Sequence, residues 1–253
     1  MPSPNGKTRK ERVTVKMGTK EIRDIYSTET RVISLISGGL DSSLATIKLV
    51  ENGLITIPMF VDYGQYPREK EYTAVQKVVN SVREKNSLLE ELVVISADLK
   101  PETGKVGSLW GRAIMMVGLA SSWAYIHGDC YQFIALGNHL GDVGPDCKPG
   151  GFDKALNETL RIATKDHMRV VLPIDDLTVE DIGKELVSFL SLWEVYSCYW
   201  DTPCGFRSKN DTYRCPGCRR KSIAMKAAGY GDIPRSNCQV ASYQSPLAEK
   251  LGY

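Results

Sequence analysis

The segment Ser37-Gly38-Gly39-Leu40-Asp41-Ser42 most constrains how this chain can fold. It follows an apolar run, Arg31 to Ile36, that reads as a buried strand, and it precedes Ser43 to Val50, which reads as a helix. A strand, a glycine-rich turn and a helix N-terminus together make an anion site. Glycines let the backbone approach closely, and the first N–H groups of the helix carry partial positive charge toward the anion. The hydroxyls of Ser37, Ser42 and Ser43 can add hydrogen bonds to phosphate oxygens. Asp41 should repel an anion, and a bound Mg²⁺ would reverse that sign.

Two familiar phosphate loops do not fit. A Walker A loop needs four residues between its glycines and then Lys-Ser/Thr, and a dinucleotide-binding turn needs Gly-x-Gly-x-x-Gly. Ser-Gly-Gly-x-Asp-Ser resembles instead the loop of the PP-loop ATP pyrophosphatases. That resemblance implies cleavage of ATP to AMP and pyrophosphate with adenylation of a second substrate.

The rest of the chain is compatible with one α/β domain. Its 253 residues can bury one good core, or one core and a small appendage. Hydrophobic residues at 42% and charged residues at 25% are ordinary for a globular protein. A net charge of +2 supplies no global field for nucleic acid. No apolar run is as long as a membrane span, and the polar, basic first residues do not read as a secretory signal. A cytoplasmic location is expected, where seven cysteines favour metal binding over disulfides.

Residues 1–30 are polar and rich in Lys and Arg, and read as a disordered or loosely docked basic arm. From Arg31 strands and helices alternate. Strands are expected at 31–36, 55–61, 92–95, 131–136 and 170–173. Helices are expected at 68–87, 112–127, 152–163 and 178–193, the last with Thr178 as N-cap and Asp181 at its third position. Such alternation implies a doubly wound parallel sheet over residues 31–195, with ligands at the carboxyl ends of its strands. Asp62-Tyr63-Gly64-Gln65 and Gly137-Asn138 fall at such ends, the second leading into Asp142-Val143-Gly144-Pro145-Asp146-Cys147-Lys148. The first group joins a carboxylate, an aromatic face and an amide, which suits a planar heterocycle.

Cys198, Cys204, Cys215 and Cys218 cluster in the segment 196–253, the last two as Cys-Pro-Gly-Cys. Pro216 and Gly217 favour a tight turn that aims two thiolates at one point. Four thiolates complete a tetrahedral, structural Zn²⁺ site with no open position. A redox Cys-x-x-Cys would need no second pair nearby.

Taken in order, these motifs resemble the 7-cyano-7-deazaguanine synthases, the QueC family, over about Arg31 to Pro234. The resemblance implies a PP-loop (HUP-like) fold with a small C-terminal zinc-binding subdomain. It also implies a chemistry. ATP adenylates the carboxylate of 7-carboxy-7-deazaguanine, ammonia gives the amide, and a second activation of the amide oxygen leaves the nitrile. The resemblance assigns Asp41, Ser42, Arg112 and Lys148 to catalysis. It assigns Ser37, Gly38, Gly39, Asp41, Ser42, Ser43 and Gly137 to ATP, with Mg²⁺. Asp62, Tyr63, Gln65, Asn138 and Asp146 are assigned to the deazaguanine.

The chain departs from the family pattern on the side that handles the base and the acyl group. Trp110-Gly111-Arg112-Ala113 stands where the family has Pro-Gly-Arg-Asn. Gly144 replaces a tyrosine, Lys148 replaces an arginine, and Val179 stands where a lysine usually follows the threonine. Residues 206–214 form an insertion between the cysteine pairs. The departures suggest a paralogue with adenylation retained and the product altered. They resemble the QueC-like proteins of bacterial anti-phage systems, including type IV CBASS, in which a protein amine replaces ammonia as acceptor. A non-catalytic, zinc-stabilised nucleotide-binding adaptor is the non-enzymatic alternative. A homodimer is compatible with all of these readings.

Overall fold

The computed structural model describes residues 12–17, 20–26, 30–65, 67–97, 99, 111–128, 131–142, 151–198 and 216–230. Its centre is a five-stranded parallel sheet made of β3 (Arg31–Leu35), β4 (Ile55–Asp62), β5 (Val93–Ser96), β6 (Tyr131–Ala135) and β7 (Arg169–Val171). The spatial order is β5-β4-β3-β6-β7. β3 runs parallel to β4 on one side, with Ile33 opposite Ile57, and to β6 on the other, with Ile33 opposite Ile134. From β3 the chain winds outward through β4 and β5, then crosses to the far side for β6 and β7. The strand order therefore reverses between β3 and β6, which is the switch point where open α/β sheets bind ligands.

The central strands are apolar on both faces, as burial from two sides requires. Val32 and Ile33 are both fully buried. One face packs beneath α1 (Leu40–Glu51), α2 (Arg68–Arg83), α5 (Val179–Leu186) and α6 (Pro216–Ala227), where Leu44, Ile47, Phe60, Val75, Val78, Ile182 and Met225 share a core. The other face packs beneath α3 (Arg112–His127) and α4 (Phe152–Ala163), with Ile57, Met59, Val117, Ala120, Leu156 and Leu160. No helix among the described residues is long and apolar enough to cross a membrane.

Three local differences from the sequence reading have physical reasons. Within the basic arm, β1 (Arg12–Met17) and β2 (Lys20–Tyr26) pair antiparallel, with Val13 opposite Ile25 and Val15 opposite Ile22. The alternation of Val13, Val15 and Met17 is a strand period. The helix expected at 178–193 begins on the expected capping box of Thr178 and Asp181 but ends at Leu186. Beyond it Ser188 N–H bonds Glu185 O and Phe189 N–H bonds Leu186 O, so tighter three-residue turns take over. Pro216 and Gly217 do not make a free turn. They open α6, with Pro216 in the first helical position where its missing N–H costs nothing.

Candidate functional site

The loop after β3 is locked from three sides. Gly38 has φ +73°, and a Cβ there would stand 2.8 Å from both Ala74 Cβ and Val75 N, so α2 lies directly against it. Gly38 O accepts the Tyr196 N–H at 2.8 Å, which ties the loop to the segment after α5. Gly137, at the end of β6, lies against the start of α1. A Cβ on it would come within 2.7 Å of Ser42 N and 2.8 Å of Ser42 Cα. Glycine is required at Gly38 for its backbone angle and at Gly137 for close approach.

Within the loop, Ser42 Oγ accepts the Ser37 N–H at 3.1 Å and lies 3.1 Å from Ser37 Oγ. Thr46 Oγ1 donates to Ser42 O at 2.8 Å, and buried Ser34 Oγ lies 2.8 Å from Thr46 Oγ1. Thr46 spends its proton on Ser42 O, so Ser34 is the donor of that second bond. This chain of hydroxyls sets the height of α1 on the sheet. The N-cap, Gly39, contributes no capping side chain, which leaves the first turn of α1 open to an outside acceptor.

Toward β6, Asp41 meets residues far from it in sequence. Arg220 Nη1 of α6 lies 3.6 Å from Asp41 Oδ2 and 3.4 Å from Asp142 Oδ1. His139, fully buried, has Nε2 3.4 Å from Asp142 Oδ1 and 4.0 Å from Asp41 Oδ1. Its Nδ1 accepts the Gly141 N–H at 3.0 Å, which assigns the proton of a neutral ring to Nε2, facing the two carboxylates. Asp142 Oδ2 in turn accepts the His139 N–H at 3.0 Å. Burial pushes the Asp41 carboxyl above its ordinary value, opposed by Arg220 and His139 and reinforced by Asp142. Among the described residues, Asp41 Oδ1, Ser43 Oγ and His139 Nε2 are buried with no hydrogen-bond partner. Three unsatisfied polar atoms are costly, and they fit a polyanion with its cation at this loop.

Toward β4 the arrangement is different. Asp62 Oδ1 accepts the Gly64 N–H at 3.1 Å and Oδ2 lies 3.1 Å from Arg68 Nε. Gln65 is buried; its Oε1 accepts the Tyr63 N–H at 2.9 Å, and its Nε2 donates to Val61 O and to Glu71 Oε2 at 3.0 Å. Asp62 and Gln65, expected as substrate contacts, thus build the turn that presents Tyr63. Arg112, the first residue of α3, hydrogen-bonds the half-buried Tyr63. Glu71, in the first turn of α2, has its carboxyl pushed up to about 7, chiefly by burial, against the Gln65 hydrogen bond and the Arg112 charge.

The structure therefore gathers Ser37, Gly38, Gly39, Asp41, Ser42, Ser43 and Gly137 at the adjacent ends of β3 and β6. Asn138 follows Gly137 half-buried in the same loop, and Tyr63 and Arg112 stand together beside α2. Asp146, Lys148, Cys204 and Cys215 lie outside the described residues. Cys198 is half-buried, and Cys218 is buried in the first turn of α6.

A family model described as "Queuosine biosynthesis protein QueC" matches residues 31–229. The chain belongs to the QueC family. Its curated relatives include the 7-cyano-7-deazaguanine synthase of Gloeothece citriformis, 27% identical over 229 residues, covering 81% of this chain and 95% of that one. The 7-cyano-7-deazaguanine synthase of Methanocaldococcus jannaschii is 26% identical, covering 80% of this chain and 97% of the relative. Among solved structures, the U34-tRNA thiolase NcsA from Methanococcus maripaludis, with its 4Fe-4S cluster, overlays with a TM-score of 0.45 at 16% identity. That overlay covers 87% of this chain and 82% of the other.

Sequence reasoning missed His139, Arg220 and Glu71, and gave Asp142 no role beyond its place in the run after β6. A signal existed for Glu71. It shares the helical stripe of Val75, Val78 and Val82, and a carboxylate on an apolar stripe is out of place. His139 is one of only three histidines and falls just after a strand. Nothing in local spacing points to Arg220, 78 residues from Asp142.

Proposed function

We propose that this chain is an ATP-dependent ligase that adenylates the carboxylate of 7-carboxy-7-deazaguanine, releasing pyrophosphate, and then amidates it, giving the nitrile by way of the amide. The observation that supports this most is the open first turn of α1 next to buried, unsatisfied Asp41 Oδ1 and Ser43 Oγ, at the switch point of the sheet. Phosphates of ATP would accept from the N–H groups of that turn and from the serine hydroxyls. Asp41 would hold the Mg²⁺ that accompanies ATP; such an ion neutralises phosphate charge and polarises the α-phosphorus. Tyr63 offers a face to the base, and the Arg112 guanidinium beside it is placed to steady the carboxylate. The carboxylate oxygen then attacks the α-phosphorus, and pyrophosphate leaves with the electron pair.

Cys198, Cys204, Cys215 and Cys218 form our proposed zinc site, a closed tetrahedral set of thiolates with a structural role. A buried Cys218 in the first turn of α6 suits that role, since the metal would hold the end of the helix that carries Arg220.

A second reading, in which the reaction stops at an amide or at a protein-linked amide, has its own support. Ala113 is buried in the first turn of α3 and brings no polar group where the family has asparagine. Val179 packs beside Gly141, next to His139, where the family has lysine. Losing one oriented polar contact at a developing charge slows a step by roughly 10²–10³. Mass spectrometry of the acid incubated with MgATP and ammonia tests both readings. The ligase proposal expects amide or nitrile with stoichiometric AMP. Efficient nitrile formation would remove the second reading, and no ATP turnover with any amine would leave the nucleotide-binding adaptor.

A further inference from the structure

Glu71 is a half-buried carboxyl beside the loop, braced by Gln65, to which phosphate binding assigns no role. Its backbone and side chain face different parts of the site. Glu71 O would lie 2.9 Å from a Cβ at Gly38, so the residue borders the phosphate loop. Its Oε2 accepts from Gln65, whose own Oε1 fixes Tyr63, and the Arg112 charge acts on it. The acyl carbon of an adenylate must sit between the phosphate loop and the base platform. Glu71 bridges these two features.

We propose that the Glu71 carboxylate is the proton acceptor for the incoming amine in the amidation step. This rests on the ligase reading above. The amine nitrogen bonds to the carbonyl carbon of the acyl-adenylate, and one N–H proton passes to Glu71 Oε1. The carbon–oxygen bond to AMP breaks, and AMP departs with the electron pair. The Gln65 hydrogen bond keeps Oε2 occupied, and among the described residues Oε1 has no such bond, which makes it the receiving atom. A carboxyl held near pH 7 suits proton transfer at neutral pH better than an ordinary glutamate, which is too weak a base. The charged and titratable groups that face it are Arg112 from α3 and Tyr63 from the end of β4.

The test compares the wild-type full chain with Glu71→Gln, which preserves an acceptor for Gln65. Three rates are read: acid-dependent ATP–pyrophosphate exchange, amide formation with ammonia, and hydroxamate formation with hydroxylamine. Hydroxylamine is neutral at pH 7 and surrenders a proton more readily, so it needs less help. In Glu71→Gln, exchange should stay within about twofold of wild type, while amide formation falls about 10²–10⁴-fold and hydroxamate formation less than about tenfold. Equal loss of all three rates would make Glu71 structural and overturn the proposal, as would unchanged amide formation. A wild type with no acid-dependent exchange would instead defeat the ligase reading itself.

Discussion

The two flanks of the phosphate loop solve opposite problems. Toward β6, the side chains of Asp41, Asp142, His139 and Arg220 meet one another at 3.4 to 4.0 Å, and among the described residues Asp41 Oδ1 and His139 Nε2 have no hydrogen-bond partner. Toward β4, Asp62, Gln65 and Tyr63 are closed by bonds of 2.9 to 3.1 Å. In the proposed reading the first flank receives the nucleotide with its cation, which would satisfy those atoms. The second is hydrogen-bonded within itself and, in that reading, serves as the platform for the base.

This contrast is broken most severely at Asp41. Asp41→Ala should lower adenylation by roughly 10³-fold, since it removes the proposed ligand of the Mg²⁺ that would neutralise the phosphates. It should not lower the melting temperature, because the ionised carboxyl is disfavoured by its burial. A destabilised yet active variant would show that the β6 flank is structural, like its neighbour.

Gly137→Ala comes next. The new methyl meets the Asp41–Ser42 backbone and displaces the start of α1. Misplacement by about 1 Å is worth roughly 10² in rate, and exchange kinetics would read it. Near-normal kinetics would mean the loop tolerates movement.

Gly183→Ala probes how α6 delivers Arg220. A Cβ at Gly183 would fall 2.6 Å from Ala224 Cα, with the backbone of α6 in the way. The cost should be about 1–3 kcal/mol, seen as a melting temperature lower by about 2–4 °C per kcal/mol. If the proposed four-cysteine site holds zinc, its content by elemental analysis should fall with it. Unchanged stability would mean α5 and α6 are not tightly docked.

The smallest effect belongs to the β4 flank. Glu71 has its proton affinity raised in the folded state, so the native protein binds more protons than the unfolded chain between about pH 4.5 and about 7. Wild-type stability conferred by that proton is present below pH 4.5 and is lost as pH rises through 7. Glu71→Gln lacks this loss, so its melting temperature relative to wild type should rise across that window and level off above it. A difference independent of pH would place the Glu71 carboxyl in an ordinary environment.

The sheet, its order of elements and the phosphate loop were legible because each is written in local pattern. Apolar runs of five or six residues followed by glycine and then a helical stripe leave little choice. The β4 flank was half legible. The Asp-Tyr-Gly-Gln run pointed to the right strand end, yet pattern alone could not show that Asp62 and Gln65 bond inward and leave Tyr63 as the presented group. The β6 flank was the least legible. Arg220 reaches Asp41 only because α6 docks on α5 through Gly183, a contact between separate elements that no window of sequence contains. The hairpin within the arm went unread for a simpler reason: its lysines and arginines obscured the alternation of Val13, Val15 and Met17 in β1, which pairs with β2.

The central claim is that the charged flank activates a carboxylate by joining it to AMP. The direct measurement uses the deazaguanine carboxylic acid labelled with ¹⁸O in its carboxylate, incubated with MgATP, ammonia and the full chain, followed by mass spectrometry of the products. The account predicts one ¹⁸O in the AMP phosphate and none in pyrophosphate, because the carboxylate oxygen attacks the α-phosphorus and stays there when the amine takes its place. Label in inorganic phosphate with ADP as the nucleotide product, or unlabelled AMP beside amidated product, would contradict it.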